Sequence, residues 1–215
     1  MKTKIILLAY LLAAASPAVA QREVFSSNAN PFTPPPGAFM PPANRDITES
    51  RLRRFAQCVV RGEPALGNAL LATEAGSPEE TALFRKIAAS RNRCMGTGRL
   101  VMKSRAMRGA LAEQMYLRAY PDPVEEPARP DAPLLTSRGG VQAYHDYGNC
   151  VVTRNPAGAD AVLRAKPGTS EEKQAYQQTA AALSSCLAGD TGALRIDRLA
   201  MRGYLAEALY RHRSG

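Results

Sequence analysis

The sequence predicts an all-α protein made of two duplicated, disulfide-stapled units of about four helices each, joined by a Pro-rich linker. Three observations predict it. The nonapeptide RGALAEQMY at 108–116 returns as RGYLAEALY at 202–210. CVVRGEP from Cys58 returns as CVVTRNP from Cys150, an offset of 92 that Cys94 and Cys186 share, as do SPEE at Ser77 and TSEE at Thr169. Anchors in the same order at an offset of 92, which becomes 94 beyond the second cysteine through a two-residue insertion, mark an internal duplication. Apolar residues also recur at helical spacing, while hairpin turn chemistry and sustained period-two alternation are missing.

Taken in order, MKTK is a positive n-region, and residues 5–15 are an apolar run of 11. Ser16-Pro17 breaks that run before Ala18-Val19-Ala20, so residues 1–20 read as a signal peptide cleaved after Ala20. Eleven apolar residues are too few for a bilayer, which takes about 20, and no Cys follows the cleavage site for a lipid anchor. The expectation is a mature chain in the periplasm or secreted, with no membrane span. Residues 21–46 form a flexible leader, with six prolines between positions 31 and 42.

The first unit spans 47–120 and the second 139–215. The first helix of each, over 47–61 and about 140–153, shows apolar helical spacing through Leu52, Phe55 and Val59. Pro64 and Pro156 suit the first turn of a short second helix. Ser77 and Thr169 read as N-caps, with Glu80 and Glu172 three residues on completing a capping box. The third helix runs to Cys94 or Cys186. Glycines 96, 98, 189 and 192 then lead through short extended pieces into the fourth helix, which carries the nonapeptide. Residues 121–138 are the linker, a semi-stiff spacer with five prolines from 121 to 133.

Four cysteines permit three pairings. Duplication favours the self-contained one, Cys58 with Cys94 and Cys150 with Cys186, in an oxidising compartment. Closing about 36 residues is worth roughly 4 kcal/mol on the loop-entropy model, and a unit this small needs such a staple. No C-x-x-C is present, and His145 and His212 are the only histidines, so no metal site and no cofactor are expected.

Placed on a helical wheel, Arg108 falls inside the apolar face of Met107, Leu111, Ala112, Met115 and Tyr116, and Arg202 repeats this in the second unit. Both should be buried, with helix-terminal carbonyls or a carboxylate of the same unit as acceptors, or else line an anion pocket. Gly109 and Gly203 cost about 1 kcal/mol each against Ala inside a helix, so another backbone or a ring should pack closely there. Glu113 and Glu207 fall at the edge of the stripe and are expected to stay solvated, Glu207 with Arg211 in a surface pair.

Charge is uneven: +7 over 47–120, −3 over 121–137 and +3 over 138–215. The bases are mostly Arg, which favours planar bidentate contacts. Exposed Arg51, Arg54, Arg91 and Arg93 are the candidate binding residues. Catalysis has no support from motifs: there is no nucleophile elbow, H-E-x-x-H or glycine-rich phosphate loop. The expected role is therefore non-enzymatic binding of a protein or an anionic envelope polymer, with nucleic acid not expected for an exported chain. The alternatives are an envelope hydrolase with its site between the units, and an inhibitor or immunity protein of a secreted enzyme.

The elements C-V-V-x-x-x-P, the capped S-x-E-E or T-S-E-E helix and R-G-x-L-A-E-x-x-Y resemble small exported two-repeat, four-cysteine proteins of alphaproteobacteria of the sphingomonad type. The likeness covers residues 54–116 and 146–210. It implies an envelope location and paired cysteines, and it brings no catalytic residue with it.

Overall fold

The computed structural model describes residues 45–90, 92–95, 103–131, 140–187 and 196–214. The residues expected to form a signal peptide (1–20), most of the expected leader, Arg91 and the glycines 96, 98, 189 and 192 lie outside them. Among the described residues eight α-helices follow one another: α1 (Arg45–Gly62), α2 (Pro64–Ala72), α3 (Pro78–Ser90), α4 (Ser104–Ala119), α5 (Gly140–Arg154), α6 (Pro156–Arg164), α7 (Ser170–Ser185) and α8 (Arg198–Ser214). No strand occurs among the described residues.

Local chemistry sets the helix starts. Proline opens α2 and α6. Before α3 the Ser77 hydroxyl accepts from the Glu80 amide at 3.1 Å, and before α7 the Thr169 hydroxyl accepts from that of Glu172 at 3.4 Å. Both glutamates reach back one residue beyond the cap, to the amides of Gly76 and Gly168, each at 2.7 Å. Those glycines have φ of 84° and 81°, a left-handed turn that only glycine adopts without strain.

Both disulfides are the intra-unit ones, Cys58–Cys94 and Cys150–Cys186. The third helix of the first unit is shorter than its sequence implies. α3 stops at Ser90, and Cys94 sits on a separate 3-10 turn, Asn92–Met95. In the second unit α7 runs on to the residue before Cys186. A tight 3-10 turn is a common way to satisfy the last carbonyls of a helix.

The units are not self-contained. One apolar core runs through both, with α4 and α8 packed against each other at its centre, α1 against α4, and α5 against α8. At the crossing the two glycines face one another: a Cβ on Gly109 would stand 2.6 Å from the Cα of Gly203, and the reverse 2.7 Å. The close neighbour expected of these glycines is thus the same residue of the other copy.

Nor does the linker stand off as a spacer. The Arg164 guanidinium donates to the carbonyls of Tyr120, Pro121 and Asp122 at 2.7–2.9 Å. The Val124 amide donates to Asp160 at 3.2 Å, and the Arg129 amide to the Arg154 carbonyl at 2.6 Å. Prolines supply acceptors without donors, and arginine forks collect them.

Because no atom fits between the two Cα positions, Gly109→Ala or Gly203→Ala must push α4 and α8 apart. Each substitution should lower stability by about 1–3 kcal/mol, as overpacked cores do, read as a lower urea midpoint.

Candidate functional site

The nonapeptide repeats because it pairs with its own copy. Arg108 and Arg202 are each 2% exposed. Arg108 Nε and Nη2 donate to the two carboxylate oxygens of Glu207 at 2.8 and 2.7 Å. In mirror fashion Arg202 Nε and Nη2 donate to those of Glu113 at 3.3 and 2.9 Å. Each arginine therefore grips the glutamate of the other unit's motif with a bidentate fork, the strongest ion-pair geometry available.

The remaining N–H groups turn back into the arginine's own unit. Arg108 donates to the carbonyls of Leu70, Leu71 and Thr73 at 3.0–3.3 Å and to Glu80 Oε1 at 3.0 Å. Arg202 donates to Val162 and Leu163 at 2.5 and 2.9 Å and to Glu172 Oε1 at 2.9 Å. These carbonyls end α2 and α6, where helices leave acceptors unfilled. Glu80 and Glu172 thus serve twice: one oxygen caps a turn and the other receives the arginine.

The tyrosines of the motif also cross over. Tyr116 donates to Asp160 at 2.5 Å, and Tyr210 donates to Asn68 at 2.7 Å. Asp160 and Asn68 hold equivalent places 92 residues apart. Arg, Gly, Glu and Tyr of each copy are all interface residues.

Helical-wheel reasoning missed the glutamates. Glu113 and Glu207 are not solvated but 3% and 2% exposed, because the face that a lone helix shows to water is covered by the other unit. The signal was present in their recurrence at the same motif position in both copies. Sequence reasoning also sought the carboxylate partner only within the unit, whereas each arginine takes one from either side.

From the first helix of each unit an equivalent side chain approaches the same glutamate. Arg53 Nη2 donates to Glu113 at 3.3 Å, and His145 Nδ1 lies 3.4 Å from Glu207. Arg211 adds a further donor to Glu207. Burial pushes the Glu207 carboxyl up, but Arg108, His145 and Arg211 outweigh it and hold it below its ordinary 4.5. Burial pushes His145 below 6.5, helped by the charges of Arg108 and Arg211 and opposed by Glu207. At neutral pH Glu207 is a saturated anion beside a neutral imidazole, so it holds no proton to transfer. Among the described residues no three His, Cys, Asp or Glu side chains are grouped to hold a metal.

A second feature is the basic face of the first unit. Arg51, Arg54 and Arg93 are exposed as expected, and Arg61 and Arg85 join them. Arg51, Arg54 and Arg61 share one stripe of α1 with Cys58, and the Cys58–Cys94 bond holds Arg93 beside it, at a Cα–Cα distance of 5.6 Å between the two cysteines. Among arginines whose side chains are described, these five have no hydrogen bond, ion pair or ring contact. Those of the second unit are all engaged: Arg164, Arg198, Arg202, Arg211 and Arg213 in hydrogen bonds, and Arg154 too has a partner.

The places equivalent to the five free arginines are Ala143, Asp146, Thr153, Gln177 and Ser185, none of them basic. Burial sharpens the imbalance, since seven carboxylates but only two arginines are buried among the described residues. The surface is therefore more basic than the formal charge of +9.

No family model, no curated protein and no solved structure matches the chain.

Arg108→Met leaves Glu80 and Glu207 buried without their main counter-charge, and should cost about 3–5 kcal/mol in chemical denaturation. Unchanged stability with a lost ligand would instead make Arg108 an anion-binding group. Acid should destabilise the fold in two steps. The unfolded chain takes up a proton at His145 before the folded one does, so stability falls as pH drops from about 6.5 towards the lower folded value. Glu207, anionic when folded, withdraws its contribution below about 4.5. Thermal melts should show the first step in the wild type and lose it in His145→Gln, while the second step persists and begins at a higher pH in the variant, where Glu207 lacks one of the groups that hold it down.

Proposed function

We propose that this is an exported, non-enzymatic binding protein of the bacterial envelope, and that the first unit presents its arginine face to an anionic partner there. One observation carries the reading. The two units share core, caps, disulfide and interface, yet among the described residues the unpaired arginines belong to the first alone. Folding constrains both units alike, so it does not account for a difference confined to the surface. Export is supported by the signal-peptide pattern of residues 1–20 and by the two disulfides. No described helix is long and apolar enough to cross a membrane.

The face suits phosphate-bearing or carboxylate-bearing polymers. Arg51 to Arg61 spans about 15 Å of α1 at 1.5 Å per residue, long enough to meet several charges of an extended chain. Guanidinium groups offer each anionic group a planar pair of donors. The pairing interface between the units is closed by packed helices and saturated carboxylates, and it leaves the outer surface of the first unit to the partner.

Inorganic polyphosphate is a suitable first probe, titrated against the chain from Gln21 onward. Affinity should fall steeply as salt rises, because exposed charges are screened beyond about 10 Å at 0.1 M. The variant with Arg51, Arg54, Arg61 and Arg93 changed to Gln should bind at least about tenfold more weakly at low salt, each contact contributing on the order of 1 kcal/mol. Its melting temperature should be unchanged. Binding that ignores both salt and these substitutions overturns the proposal.

A further inference from the structure

The two disulfides form an internal comparison. They close loops of the same length, 36 residues, on equivalent scaffolds. Their surroundings differ in two respects. Cys150 and Cys186 are 4% and 6% exposed, whereas Cys58 and Cys94 are both partly open to solvent. The charges around them also differ. Cys58 has Arg54 four residues before it and Arg61 three after it, helix positions that lie beside it, and Arg93 adjoins Cys94. At the same places around the second bond stand Asp146, Thr153 and Ser185, and Arg154, four residues after Cys150, already has a partner. Arg54, Arg61 and Arg93 are exposed and unpaired, so their charge is free to act on the sulfurs.

From this we infer that Cys58–Cys94 is a thiol–disulfide exchange site selective for anionic thiols, and that Cys150–Cys186 is a structural bond only. The exchange proceeds in two displacements. An incoming thiolate attacks one sulfur, the S–S bond breaks, and the other cysteine leaves as a thiolate beside a guanidinium. A second incoming thiolate then attacks the small-molecule sulfur of the mixed disulfide and releases the second cysteine. Two small thiols are oxidised to their disulfide, and the protein gains two thiols.

The arginines act at both ends of the step. They draw an anionic thiol towards the bond, as like-signed clusters steer charged reactants. They also stabilise the departing thiolate, which lowers its pKa and speeds its departure. Opening the bond frees the turn carrying Arg93 from α1, so exchange changes the geometry of the basic face. The inference stands whatever partner that face binds.

The test uses the full mature chain with glutathione as the anionic thiol and 2-mercaptoethanol as the neutral one. Samples are quenched by alkylation over time, and each cysteine pair is quantified by peptide mass spectrometry. Cys58–Cys94 is expected to open at least about tenfold faster than Cys150–Cys186 with glutathione, the lower end of electrostatic rate effects. That ratio should shrink with 2-mercaptoethanol and with added salt. The Arg54→Gln, Arg61→Gln, Arg93→Gln variant alters only exposed, unpaired side chains, and its glutathione rate should drop towards the neutral-thiol rate. Equal opening of the two bonds, or earlier opening of Cys150–Cys186, overturns the assignment. A faster first bond with no dependence on thiol charge, salt or the arginines overturns the selectivity and leaves solvent access as its cause.

Discussion

The reciprocal clasp between the two RGxLAExxY motifs is the constraint on which the rest of the structure depends. Arg108 holds Glu207 while Arg202 holds Glu113, and between the two pairs Gly109 meets Gly203 backbone to backbone. This is the pattern of an isologous interface, in which residue i of one partner contacts j of the other and j contacts i. Here both partners lie on one chain. Burying four charges carries a desolvation cost of several kcal/mol per ion. Bidentate geometry and the carbonyls ending α2 and α6 offset it, so every guanidinium N–H is spoken for. What the clasp contributes above all is register. A slide of α8 along α4 by one residue would break both bidentate forks in the core, and would set a side chain against a glycine.

From the clasp outward, each unit is organised around its arginine. The carbonyls it needs come from the end of the second helix, which places α2 and α6. The carboxylate it shares with the N-terminal turn of the third helix places α3 and α7. The first helix covers the fourth and is bolted to the end of the third by the disulfide. The described part of the linker, 121–131, does not stand off from the units but is drawn along α6 by Arg164 and Asp160. The enlarged core supplied by two fused units, about 150 residues together, removes much of the instability that a unit of this size has alone.

Duplication also separates what the fold requires from what it does not. Core positions, caps, cysteines and the interface are kept in both copies, while surface charge diverged. His145 replaces the Arg53 of the first unit beside the clasp, which gives one of the two otherwise matched carboxylates a neighbour that titrates. Beside the first disulfide Arg54 is unpaired, whereas its counterpart beside the second is Asp146. The first unit thus has an outward face of free guanidinium groups, and the described arginines of the second are turned to carboxylates and carbonyls of both units and of the linker.

Much of this was legible in the sequence. The helices, their caps and both cysteine pairs follow from local rules and from the fixed period of 92, because capping, helical spacing and loop closure act over a few residues or along one chain segment. The same reasoning placed Arg108 and Arg202 inside and left Arg51, Arg54 and Arg93 outside. It put Glu113 and Glu207 in water and the linker in the role of a spacer, since a helical wheel knows one helix and nothing of what lies on it. Only the tertiary structure decided that each motif is the other's partner, and that among the described residues the first unit alone keeps unpaired arginines. Both are matters of contact between segments, the first across some 90 residues, where burial and charge pairing depend on a neighbour that no local pattern specifies.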